Sequence, residues 1–138
     1  MIDETIILGK YNWSFRLFCL ESCDYIDKIL NSLEAIKCPK NRIIEIRYDL
    51  LDCIDNNGFI YTNSNLRKSV IVINKTSKPK EFFNSLSHEN AHLAIHIANE
   101  NDINLNSEEF CYLVGDIAQA EYQYIKWLIR PCECGCSR

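Results

Sequence analysis

The stretch Glu81-Phe82-Phe83-Asn84-Ser85-Leu86-Ser87-His88-Glu89-Asn90-Ala91-His92-Leu93-Ala94-Ile95-His96-Ile97-Ala98 governs how the rest of the chain is read. Its apolar residues Phe82, Phe83, Leu86, Leu93, Ile95 and Ile97 flank a polar centre with a helical period, so the spacing predicts a helix over residues 81–98. Pro79 stands where the first helical turn accepts a proline, and Ser77 or Lys78 stands at the cap. On that helix His88 and His92 are one turn apart on one face, with β-carbons about 5–6 Å from each other. Two imidazoles so placed converge on one tetrahedral ion. Glu89 projects about 100° round the helix from His88, consistent with reaching a water on the same metal. The plain alternative is an amphipathic helix whose histidines are satisfied by hydrogen bonds.

Working outward, residues 5–8 and 13–20 read as a strand pair around Gly9-Lys10-Tyr11-Asn12. Residues 24–37 carry Tyr25, Ile26, Ile29, Leu30, Leu33 and Ile36 at helical spacing, and Pro39 stops them. Residues 42–54 suit a helix, although their first half also suits a strand. Asn56-Asn57-Gly58 is a turn signal, and strands follow over 59–62 and 69–74, joined by Asn63-Ser64-Asn65. After a polar loop over 99–106, Ser107 caps a last helix over 108–129, with Phe110, Leu113, Val114, Ile117, Ala118 and Ile125 available to a core and Pro131 at its end. Strands and helices are segregated along the chain rather than alternating. That order predicts an α+β fold, a small antiparallel or mixed sheet packed on helices. Without repeats or linker-like stretches, residues 1–130 read as one domain and 131–138 as a cysteine-rich tail.

The chain of 138 residues is 47% apolar and 25% charged, with a formal net charge of −4. Its lysines and arginines are scattered, so no basic stripe points to nucleic acid. Met1-Ile2-Asp3-Glu4 lacks the basic start of a signal peptide, and the run Val70-Ile71-Val72-Ile73 is far too short to span a bilayer. The expectation is a cytoplasmic protein with no membrane partner. In that compartment Cys19, Cys23, Cys38, Cys53 and Cys111, all in apolar or amphipathic contexts, read as reduced thiols. Cys132, Cys134 and Cys136 do not complete a structural zinc site alone, which needs four ligands. A fourth ligand from elsewhere, an intermolecular link, soft-metal capture and a disordered terminus are the alternatives for that tail.

A catalytic zinc site takes a third protein ligand and keeps one position open for water. His96 continues the histidine face but lies about 6 Å further along the axis than His92, too far to join the same ion easily. It reads as a support for a ligand ring, a substrate-facing group or a plain structural residue. Glu108 and Glu109 open the following helix, which doubles back after the polar loop. Acidic residues also favour a first helical turn because of its dipole.

The segments Leu86-Ser87-His88-Glu89-Asn90-Ala91-His92-Leu93 and Ser107-Glu108-Glu109-Phe110-Cys111-Tyr112-Leu113-Val114-Gly115 together resemble the small HExxH zincins of bacteria and phages. The stretch from Gly58 through Ser69 to Asn74 and into the motif is similar to the metallopeptidase core of the ImmA/IrrE type. There a strand before the active-site helix forms an edge along which a peptide lies. The resemblance covers roughly residues 57–120. It implies one catalytic zinc ion held by His88, His92 and Glu108, with Glu89 as general base and a peptide or protein as substrate. Glu108 is preferred to Glu109 because the similar proteins place the glutamate four residues before a Tyr-Leu pair, here Tyr112-Leu113. The departures are Asn90-Ala91 in place of an apolar–glycine pair and the lack of a recognisable DNA-binding or sensor domain. The alternative it leaves is a non-catalytic zinc-binding regulatory or interaction module that keeps the fold. If phage-encoded, the protein works in the host cytoplasm. Tyr112 is a candidate oxyanion donor or a core aromatic. Asp116, on the same helix face as Glu108, is a candidate to orient a histidine ring or a surface acid.

Overall fold

A computed structural model describes residues 1–21, 25–52, 58–74, 76 and 78–129. Four strands and four helices follow in the order β1 (Ile2–Leu8), β2 (Trp13–Cys19), α1 (Ile26–Ala35), α2 (Lys40–Asp52), β3 (Gly58–Asn63), β4 (Lys68–Ile73), α3 (Pro79–Glu100) and α4 (Glu108–Ile129). The sheet runs β1-β2-β4-β3, with β2 and β4 parallel at its centre and the outer pairs antiparallel. This is the expected α+β fold with a mixed sheet packed on helices.

The central strands explain the layering. In β4 every residue from Ser69 to Ile73 is buried, as expected of a strand covered on both faces. Val70 and Val72 join Phe18 in a core with Ile29, Leu33, Ile46 and Leu50 of α1 and α2. Ile71 and Ile73 join Phe15 and Leu17 in a second core with Leu86, Leu93 and Ile97 of α3 and Leu113 and Ile117 of α4. The sheet therefore lies between two helical layers, and the motif helix belongs to the second. Edge strand β1 alternates instead: Ile6 and Leu8 are buried while Ile7 is 76% exposed.

Several elements differ from expectation at their ends. β1 begins at Ile2 because its pairing with β2 continues to Ile2↔Cys19. The link between them is a 3-10 turn, Gly9–Tyr11, followed by Asn12 in the left-handed region at φ 50°. The second helix extends over Lys40–Asp52 without a strand in its first half, because Ile46 and Leu50 fall one turn apart on the sheet. Lys78 rather than a hydroxyl occupies the cap of α3, extended, with Pro79 in the first turn and no side-chain cap bond. Ser77, Asn56, Asn57, Cys23, Cys53, Pro131 and the tail cysteines lie outside the described residues. Cys19, Cys38 and Cys111 are free thiols, the first two buried. Among the described residues no helix is long and apolar enough to cross a membrane.

One arginine ties the elements around the motif together. Arg67, at φ 55°, donates to the carbonyl oxygens of Asn12 and Tyr11, each at 2.8 Å, and to Asn101 Oδ1 at 2.7 Å. The start of β4, the β1–β2 link and the end of α3 are thereby held as one unit. Tyr11 hydroxyl donates to Asp116 of α4 at 2.6 Å, extending that unit to the last helix.

Candidate metal centre

α3 carries its core face on Phe82, Ser85, Leu86, Glu89, Leu93, Ala94, Ile97 and Ala98. His88 and His92 project from the edge of that face and are exposed, with ring centroids 5.0 Å apart at 72°. The structure thus brings the two motif imidazoles together and leaves them open to solvent. His96 is half-buried, its ring centroid 6.4 Å from that of His92. Its Nδ1 lies 2.8 Å from the hydroxyl of Thr62 on β3. Burial, and secondarily the neighbouring His92, push its pKa below the usual imidazole range.

Glu89 lies on the core side of the pair and is only 7% exposed. Burial raises its carboxyl above the usual range, opposed by the nearby His88 and His92. Among the described residues no hydrogen bond or ion pair engages it, yet its oxygens are not among the side-chain atoms sealed from solvent without a partner. A carboxylate in that position pays desolvation, offset in part by the two imidazoles and by no hydrogen bond among the described residues, and still meets water.

Glu108 is not brought to the histidines. Asn90 Nδ2 donates to Glu121 Oε1 at 2.5 Å, which sets the level at which α4 passes the motif. Glu108 lies thirteen residues before Glu121, about 20 Å of helix rise away. It opens α4 beyond the end of α3, exposed, with Glu109 beside it. The loop doubles the chain back as expected, but the antiparallel offset carries the first turn of α4 past the motif. Asp116, taken by Tyr11 and with Lys10 at 3.9 Å, orients no histidine. Tyr112 is 61% exposed on the first turns of α4, so it is not a core aromatic and lies at the same distant end.

Glu121 itself is the residue that sequence reasoning passed over. It is fully buried, and burial lifts its carboxyl to about 8 against the opposing hydrogen bond from Asn90. Asn90 lies about 200° round α3 from His88, so this pair sits on the opposite side of the helix from the imidazoles. Its Oε2 and Asn90 Oδ1 are buried without partners. A proton on Oε2 spares the fold a buried, unpaired negative charge. The signal was present in the sequence, since Glu121 continues the row Leu113, Ile117, Ile125 at one-turn steps.

Two imidazoles on one helical face, open to solvent, are two of the three protein ligands a catalytic zinc takes, and Glu89 lies beside them on the core side. Among the described residues no group of three or more histidine, cysteine, aspartate or glutamate side chains is clustered to hold a metal ion. Of the three ligands expected from the sequence, the structure brings together His88 and His92 and not Glu108. No family model, curated protein or solved structure matches the chain.

Proposed function

We propose that the protein is a zinc-dependent peptide hydrolase in which His88 and His92 supply two of the ion's ligands and Glu89 is the general base. The observation that carries this reading is Glu89: a carboxylate buried beside both imidazoles, without a hydrogen bond among the described residues, its pKa raised by burial and its oxygens open to water. Zinc binding alone needs no such group. When bound, zinc supplies a Lewis acid that activates water and polarises a carbonyl. Glu89 accepts the proton of the attacking water and returns it to the leaving amine, roles for which a carboxyl group shifted towards neutrality is suited. The open faces of His88 and His92 leave room for substrate.

A peptide substrate is supported by β3. Among the described residues its one strand partner is β4, and it packs beside the motif helix, so its outer edge is the place where an extended chain would add by backbone hydrogen bonds. The free thiols Cys19, Cys38 and Cys111 accord with a reducing compartment, and we place the protein in the cytoplasm.

The test is Glu89→Gln in zinc-loaded protein, assayed on unfolded polypeptide. The variant is expected to retain zinc and lose hydrolysis by a hundredfold or more, the scale of a missing general base, about 10²–10⁴. A variant that cleaves as fast as wild type would remove Glu89 from the reaction. Zinc in the wild type without turnover on any peptide would instead identify a non-catalytic zinc module.

A further inference from the structure

Three hydroxyl and indole groups form a chain that ends on His96. Trp13 Nε1 lies 3.1 Å from Ser69 Oγ, Ser69 Oγ lies 2.7 Å from Thr62 Oγ1, and Thr62 Oγ1 lies 2.8 Å from His96 Nδ1. The register sets two of these groups side by side, since Thr62 of β3 stands opposite Ser69 of β4, and Trp13 reaches Ser69 from two residues before its β2 partner Phe15. The direction of the chain follows from its first member. An indole N–H donates and never accepts, so Ser69 Oγ accepts from Trp13. Ser69 is 2% exposed, and Thr62 is the other side-chain atom it touches, so its single hydrogen goes to Thr62. Thr62 then spends its own hydrogen on His96 Nδ1. The reverse direction strands the Ser69 hydrogen in a buried site, at about 1–3 kcal/mol.

The consequence falls on the other side of the imidazole. With Nδ1 held as an acceptor, the neutral ring carries its proton on Nε2, which the ring geometry aims away from Thr62. Nε2 has no partner among the described residues and is not among the buried unpartnered atoms, so it meets solvent beside His92. In this tautomer neither nitrogen is free for metal: Nε2 carries the proton and Nδ1 accepts from Thr62. We propose that the Trp13–Ser69–Thr62 chain biases His96 to present Nε2–H as a hydrogen-bond donor to a peptide substrate's carbonyl oxygen rather than a ring nitrogen to the zinc. This assignment rests on the hydrolase reading for its substrate, but the bias of the ring does not.

Long-range proton–nitrogen NMR on zinc-free, nitrogen-15-labelled protein reads the ring directly, with His96→Phe identifying the signals. The neutral wild-type ring is expected as a single tautomer, protonated at Nε2, and Thr62→Val is expected to release it to a tautomer mixture. Ser69→Ala, which removes the donor to Thr62, serves as the second variant and is expected to loosen the preference in the same sense. A wild-type ring protonated at Nδ1, or a tautomer unmoved by both variants, would overturn the chain. In zinc-loaded protein, a phosphonamidate dipeptide supplies tetrahedral oxygens in place of the reacting carbonyl. His96→Phe is expected to bind it about 10–100-fold more weakly, the scale of one hydrogen bond to a charged oxygen, with unchanged zinc affinity. Equal phosphonamidate affinity, no phosphonamidate binding by wild type, or loss of zinc from His96→Phe overturns the donor role. A wild type that takes up no zinc but keeps the single tautomer overturns the hydrolase reading and with it the substrate role, while the ring assignment stands.

Discussion

Replacing Glu121 by glutamine isolates one buried ionisation from the rest of the protein. The carboxyl is fully buried between α3, α4 and the sheet and is lifted from the ordinary 4.5 to about 8 by burial. Between those values the folded chain holds a proton that the unfolded chain has released. Stability therefore falls as pH rises through that window, by about 1.4 kcal/mol per pH step for one proton. From pH 5 to pH 8 the sum is on the order of 4 kcal/mol, a large part of a small domain's total. Below pH 4.5 both states are protonated and the effect vanishes. Glutamine carries no such proton and keeps an oxygen for Asn90 Nδ2. Urea denaturation of zinc-free wild type and Glu121→Gln at half-unit pH intervals reads the difference. The variant is expected to gain on the wild type steadily from pH 5 to pH 8, so that the two curves diverge by several kcal/mol. Parallel curves across that range would refute the reasoning and place an ionised Glu121 in the folded protein.

Glu108→Ala should leave zinc stoichiometry unchanged, because about 20 Å of helix separate it from the level of the motif; loss of zinc in that variant would return Glu108 to the ligand set. Leu93→Ala, at a fully buried position one residue beyond His92, should destabilise the domain by about 3 kcal/mol in urea denaturation, the usual scale for such a cavity. A loss below about 1 kcal/mol would mean that the motif helix is not packed on the sheet as described.

The layered fold was legible because its signals are local. The run Val70-Ile71-Val72-Ile73 is apolar at every position, which suits a strand covered on both faces, and α3 announces itself by its period. Residues 42–54 were ambiguous because β-branched isoleucines at 43, 44 and 46 suit either state; packing of Ile46 and Leu50 on the sheet decides for helix. The histidine pair was legible for the same local reason, one helical turn. The third ligand was not, since its position depends on how two helices slide past each other, and the Asn90–Glu121 contact that fixes this lies 31 residues apart in sequence. Glu121 escaped notice because a carboxylate in an apolar row reads as an interruption of the row rather than a member of it. The Trp13–Ser69–Thr62 chain needs strand register, which composition does not supply.

The most direct measurement is the zinc content of protein purified without a histidine tag, for wild type and for His88→Asn and His92→Asn. The account predicts close to one zinc per wild-type chain, removable by chelation, and none in either variant. A wild type without zinc, or a His92→Asn variant that keeps a full equivalent, would contradict it.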